Sequence, residues 1–137
     1  SGDWAATDIK RFEHVGTSND SLLAGLRAAV QFQQAIGRRA VELRARGLAT
    51  QLHTMLAKLP RVEIVSPTRP EFRAGMVAFR MAGTTAQALQ GYLGAHRIRT
   101  RRIAEANLEY LRLSTHIYTF PRDLERTVAL LKDAPRG

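Results

Sequence analysis

The sequence predicts an α+β domain. It reads as a two-layer α/β sandwich, with long N-terminal helices followed by β-β-α-β-β-α and a mainly antiparallel sheet. Three observations carry that prediction. Apolar residues recur at helical spacing from Leu22 to Leu59, interrupted at Gly37. After Pro60 the pattern changes to short β-branched or alternating runs, the mark of strands. Helical stretches then separate those runs in pairs, an order that suits one sheet with helices on one side.

Residues 1–20 read as a lead-in segment, because Trp4, Ile9 and Phe12 are too loosely spaced to define an element. The domain proper is expected over 21–137. Asn19, Asp20 and Ser21 offer capping oxygens before the first helix. Leu22, Leu23, Leu26, Ala29, Val30 and Ile36 give that helix its apolar side. A second helix follows Gly37, with Val41, Leu48, Leu52, Met55, Leu56 and Leu59. Pro60 ends it, since proline lacks the N–H and disfavours helix at the residue before it.

Strands are expected at Val62–Val65 and Gly75–Met81, with Ser66-Pro67-Thr68-Arg69-Pro70 as the connecting loop. Thr84 or Thr85 can cap a helix over 85–95, whose apolar side carries Leu89, Tyr92 and Leu93. Ile98–Ile103 and Tyr110–Tyr118 read as two more strands. Pro121 suits the first turn of a last helix, where its missing N–H would be unpaired anyway. Asp123 and Glu125 favour that helix end through the macrodipole.

The chain has 137 residues, the size of one domain. Its net charge is +9, and lysine occurs only at Lys10, Lys58 and Lys132, so arginine supplies most of the basic residues. Such a balance admits an anionic partner, nucleic acid included, or a solvated arginine-rich surface. There is no cysteine, which excludes disulfides, thiolate metal sites and a cysteine nucleophile. No apolar run reaches the length of a membrane span and no signal-peptide pattern opens the chain. A cytoplasmic protein is the expectation.

No Gly-rich phosphate loop, HExxH or GxSxG is present. His14, His53, His96 and His116 are scattered, so no metal site is expected. The richest stretch is Tyr110–Tyr118. Strand alternation puts Leu111, Leu113, Thr115 and Ile117 on one face, and Tyr110, Arg112, Ser114, His116 and Tyr118 on the other. An arginine on a rigid strand suits bidentate capture of a carboxylate. A solvent-facing strand is the other reading. In Arg97-Ile-Arg-Thr-Arg-Arg102, alternation would bring Arg97, Arg99 and Arg101 together, either for an anion or as a charge-protected edge. Glu13-His-Val-Gly-Thr-Ser-Asn-Asp20 stands at a helix entry, where anions or simple capping are both served.

These segments, in this order, resemble the class V aminotransferase family, which includes cysteine desulfurases and isopenicillin N epimerase-like enzymes. The resemblance runs from Arg11-Phe-Glu-His-Val-Gly-Thr17-Ser-Asn through Ile36-Gly37 and Ile98-Arg-Thr-Arg101 to Leu111-Arg112-Leu-Ser114-Thr-His116-Ile-Tyr118 and Asp123-Leu-Glu. It covers nearly all of 9–133 and corresponds to the small C-terminal domain of those enzymes.

The resemblance implies a parent that uses pyridoxal 5'-phosphate on an amino-acid substrate. It implies that Arg112 binds the substrate carboxylate, that Arg101 stands at the rim of the site, and that Thr17 reaches the cofactor phosphate, commonly across a homodimer. The large domain, with the Schiff-base lysine, lies upstream of the matching segment in the family. None of Lys10, Lys58 and Lys132 has that lysine's context, so this chain by itself is expected to be inactive, with no catalytic residue of its own. The desulfurase cysteine has no counterpart here, and Thr119 stands where the family usually has asparagine. The ending is similar to the isopenicillin N epimerase-like branch. Two other readings stay open: a basic nucleic-acid-binding module acting through Arg97, Arg99, Arg101 and Arg102, and an oligomerisation module.

Overall fold

The computed structural model describes residues 19–136, apart from the side chain of Asn107. They fall into two units, one through Ile36 and one from Gly37 onward. The first contains helix α1 (Asp20–Ile36). Its start is held by Asn19, whose carbonyl and Oδ1 both accept from the Leu22 N–H, at 3.0 and 3.2 Å. Leu22, Leu26, Ala29, Val30 and Ile36 share one side of this helix at three- and four-residue spacing. Leu22, Leu26 and Val30 are exposed, and so are Leu23 and Phe32.

The second unit contains α2 (Arg38–Leu56), β1 (Val62–Ile64), β2 (Met76–Met81), α3 (Ala86–Ala95), β3 (Arg101–Ile103), β4 (Tyr110–Ser114) and α4 (Pro121–Lys132). The order α-α-β-β-α-β-β-α is the one the sequence predicts. The four strands form one sheet in the order β1-β2-β4-β3, and every neighbouring pair is antiparallel. The two-layer α+β architecture follows from how the strands alternate. Val77, Phe79 and Met81 of β2 and Leu111 and Leu113 of β4 point to one side. They meet Leu48, Leu52 and Leu56 of α2, Leu89 and Leu93 of α3, and Leu124, Val128 and Leu131 of α4 in a single buried cluster. Within this unit, α2, α3 and α4 all pack on that one side of the sheet.

Local chemistry sets the ends of these elements. The hydroxyl of Thr85 accepts from the Ala88 N–H at 3.1 Å and caps α3. Pro121 opens α4, and Asp123 reaches back to accept from the Phe120 N–H at 2.8 Å. The end of α3 is less ordinary. Arg97 N–H donates to the Gly94 carbonyl and Ile98 N–H to the Leu93 carbonyl, both at 2.9 Å. This is a Schellman closure, which needs a left-handed residue at its centre. Arg97 takes that conformation, at φ 62°, where glycine would be at ease.

This closure corrects two details of the strand reading. The third strand was expected from Ile98 but begins at Arg101, because Arg97 still closes the helix. Arg97, Arg99 and Arg101 therefore do not form one alternating row. The last strand was expected to reach Tyr118 but ends at Ser114. Beyond it the chain turns, with Thr119 N–H donating to the His116 carbonyl at 2.9 Å and the His116 N–H donating to the Thr119 hydroxyl at 3.0 Å.

Three polar side chains lock the layers together. Thr115 is buried, and its hydroxyl donates to the Ala45 carbonyl of α2 at 2.9 Å. Its N–H donates to the Gly75 carbonyl at 2.7 Å, so the backbones at the start of β2 and the end of β4 lie very close. Arg73, 7% exposed, spends its guanidinium on the carbonyls of Pro67 and Thr68, at 3.1 and 2.7 Å, and so ties down the 66–70 loop. Arg61 donates to the carbonyls of Ala82 and Ala134, at 3.0 and 2.8 Å, joining the β2–α3 turn to the C-terminal segment.

Two predictions follow from this packing. A Cβ at Gly75 would stand 2.9 Å from the Thr115 carbonyl oxygen and 3.3 Å from the Ala45 Cβ. Gly75→Ala is expected to cost about 1–3 kcal/mol, the usual range for overpacking, read as a lowered urea midpoint. The second concerns pH. Burial, with a smaller contribution from Arg73, holds His53 below its ordinary 6.5. The unfolded chain therefore takes up that proton first, so the contribution of His53 to stability is complete above pH 6.5 and falls as pH drops below it. His53→Gln should flatten the urea midpoint between about pH 6.5 and 5; a slope identical to that of the wild type would refute the assignment.

Candidate functional site

Directly opposed residues on antiparallel strands share a face. The register aligns Ala78 with Arg112 and Arg112 with Arg101, so β2, β4 and β3 carry these three side by side on the uncovered face. Met76 opposite Ser114, Ile103 opposite Tyr110, and Glu63 opposite Arg80 complete it. The polar row expected from the alternation of Tyr110, Arg112 and Ser114 is thus the row that the helices leave open. His116 and Tyr118 are not part of it as strand residues. They lie in the following turn, where their rings stack with centroids 4.4 Å apart.

The open face has a specific electrostatic imbalance. Arg80 pairs with Glu63 at 3.7 Å and donates to the Glu109 carbonyl at 3.0 Å. Arg101 pairs with Glu105 at 3.0 Å. The Glu105 carboxyl is held below its ordinary range by its own N–H and that of Ala104, and Arg101 adds to this. Arg102 turns to the other side and grips Glu109 with two nitrogens, at 3.0 to 3.2 Å. That bond in turn lowers the Glu109 carboxyl.

Arg112 has no such partner. It is half-buried on β4 between Ala78 and Arg101, and its Nε is fully buried with no hydrogen bond. No carboxylate pairs with it among the described residues. A buried N–H without an acceptor costs free energy, and so do two like charges directly opposed across strands. Both costs disappear when a carboxylate sits over the pair. The small Ala78 on the other flank leaves space above the sheet for it. Bidentate arginine–carboxylate geometry requires a fork of this kind on a fixed base.

Thr17 lies outside the described residues, as do His14 and Lys10. Arg112 and Arg101 come together, as cross-strand neighbours. Arg97 and Arg99 do not join them: both line a cavity that also includes Leu52 and Leu113 of the covered side. Lys58 and Lys132 are exposed and line another cavity with Met81 and Leu131, again on the helical side. Among the described residues no group of His, Asp or Glu could hold a metal ion, and no helix is long and apolar enough to cross a membrane. Sequence reasoning missed the buried role of Arg73 and the cavity at Arg97. The first leaves no local signal. The second was masked, because α3 runs through Gly94, the residue that would ordinarily mark a helix end, and closes on Arg97.

The sequence pattern of the family described as Aminotransferase class-V matches residues 3–126. Over 131 residues the chain is 30% identical to isopenicillin N epimerase of Streptomyces clavuligerus, covering 94% of this chain and 33% of that enzyme. The chain thus spans about a third of the length of the relatives it matches. Among solved structures, the cystine C-S lyase C-DES superposes with a TM-score of 0.78 at 31% identity, over 91% of this chain and 32% of its own. A C-DES mutant carries glycine covalently linked to its PLP cofactor. A cysteine desulfurase from Thermococcus onnurineus shares the fold, with a TM-score of 0.82 at 24% identity over 91% of this chain and 33% of its own.

Two arginines, Arg73 buried and Arg112 half-buried, make opposite predictions. Arg73 satisfies carbonyls, so Arg73→Met is expected to cost about 1.5–3 kcal/mol, the range for hydrogen bonds to a charged group. Arg112 satisfies nothing within the domain, so Arg112→Met should leave stability within about 0.5 kcal/mol of the parent or raise it. Urea melts of the two variants decide. An Arg112→Met loss as large as that of Arg73→Met would show that Arg112 is a structural residue.

Proposed function

This chain belongs to the class V aminotransferase family, and we propose that it is the small C-terminal domain of a pyridoxal-phosphate enzyme acting on an amino acid. In this reading residues 21–137 form the domain, and 1–20 lead into it from a large domain of the same enzyme. The carrying observation is Arg112, unpaired on the open face of a sheet whose other face is fully covered. Its role is to hold the substrate α-carboxylate in a two-pronged grip, which fixes the amino acid against one wall of the cleft. Arg101, beside it and tied to Glu105, stands at the rim.

In this reading the described residues do not hold the cofactor by themselves. The open face offers no lysine for a Schiff base, since Lys58 and Lys132 belong to the helical side. Glu63 and Glu105, which could serve as acidic partners, are engaged by arginines. In this reading the pyridoxal group and its lysine belong to the rest of the enzyme, and no reaction step is assigned to these residues. Thr17 is proposed to reach the cofactor phosphate, across a homodimer as the family pattern implies. The exposed apolar side of α1, with Leu22, Leu26 and Val30, supports a larger assembly, because such a stripe is normally covered. The whole enzyme is proposed to be cytoplasmic.

The test uses the full-length enzyme. Arg112→Gln should weaken amino-acid binding about 100-fold, the loss expected for a charge-assisted bidentate contact, while the visible absorbance of the bound cofactor is unchanged. The isolated 137-residue chain should show neither cofactor absorbance nor turnover. Unchanged amino-acid affinity in Arg112→Gln would overturn the assignment.

A further inference from the structure

A second basic site lies away from the open face. Arg97, Arg99 and Arg126 line a cavity of about 370 Å³ with Leu52 and Leu113 among its apolar walls. Arg126 is fixed there, because its Nη2 donates to the His96 carbonyl at 2.8 Å and so ties α4 to the closing turn of α3. The guanidinium groups of Arg97 and Arg99, both exposed residues, have no hydrogen-bond or ion-pair partner among the described residues. Asp123 also lines the cavity; its Oδ2 accepts from the Phe120 N–H at 2.8 Å, and its negative charge is outnumbered there by three guanidinium groups.

The backbone points the same way independently. Arg97 sits at the left-handed centre of a Schellman closure, where a non-glycine residue is strained and glycine is the ordinary choice. The fold gains nothing from a guanidinium there, since it bonds to no part of the domain. Strain kept at a position that helix closure would rather give to glycine is a mark of function.

From these observations we propose that this cavity binds a phosphomonoester, with the phosphate held among Arg97, Arg99 and Arg126. A phosphate dianion offers three acceptor oxygens to the guanidinium forks, and the Thr119 side of the cavity adds polar lining. Leu52 and Leu113 supply an apolar wall for a small hydrophobic body attached to the phosphate. This site lies at the end of β4 and takes in Ser114, but Arg112 is not part of its lining, and it does not depend on the role given to that residue.

The test is a titration of the purified chain with inorganic phosphate, phenyl phosphate and, at matched ionic strength, sodium chloride, followed by backbone amide shifts and by Tm. Phosphate should shift the amides around 97–100, and phenyl phosphate should bind more tightly than phosphate. Arg97→Gly is the discriminating variant. It should raise the Tm of the free chain by a few degrees by relieving the left-handed backbone, yet weaken phosphate binding about tenfold through the lost charged contact. Arg99→Gln should weaken binding without that stabilisation. Arg122→Gln, outside the cavity, should change neither. Equal shifts from chloride, or phosphate affinity unaltered by Arg97→Gly and Arg99→Gln, would overturn the proposal.

Discussion

The structure depends on one asymmetry: a four-stranded sheet that is covered on one side only. Val77, Phe79 and Met81 of β2 and Leu111 and Leu113 of β4 face α2, α3 and α4, and this burial holds the second unit together. A strand cannot bury one side without presenting its alternate residues on the other. Placing Phe79 and Leu111 in the core therefore places Ala78 and Arg112 outside, opposite each other. The position of the candidate carboxylate clamp follows from the core. A one-residue slip of β4 would bury the arginine and expose the leucines, so packing energy protects the geometry of the site.

Eighteen arginine positions would be uninformative if all of them did the same work, but they do not. Arg61 and Arg73 spend their nitrogens on backbone carbonyls and act as staples. Arg102 takes a carboxylate of its own in Glu109. Arg80 and Arg101 form exposed pairs, which contribute little to stability because water and salt screen them. The guanidinium groups of Arg112, Arg97 and Arg99 bond to nothing in the domain, as do those of the exposed Arg27, Arg38, Arg39 and Arg136. Net charge suggested an anionic partner without placing it. Of the guanidinium groups without a partner, Arg112 is set apart by its buried Nε, and Arg97 and Arg99 by the cavity they share.

Much of this was legible in the sequence because the relevant signals are local. Pro60, Thr85 and Pro121 mark helix ends by chemistry that acts within a few residues, and the structure puts boundaries at or near each. The alternation in 110–114 gave both the buried leucines and the open arginine. What the sequence hid depends on partners distant along the chain. Nothing near Arg73 announces that it will be buried against carbonyls of a loop and the Thr50 hydroxyl. The 97–102 run misled for a different reason: alternation presumes extended backbone, and Arg97 is still finishing a helix.

That last error is informative about how the two arginine sites differ. At Arg112 the local and global requirements agree; a half-buried, extended position on the open side of β4 accepts a long polar residue without backbone strain. Its signature is an unmet hydrogen bond, a cost that binding removes. At Arg97 the backbone itself objects, because the helix closure calls for glycine. Its signature is conformational, and ligand binding does not relieve it. The first cost is refunded when the site is filled, whereas the second is carried in the free and bound chain alike. A residue retained under a permanent cost must contribute something the fold does not supply. With no bond from its guanidinium to the domain, that contribution lies with whatever enters the cavity it lines.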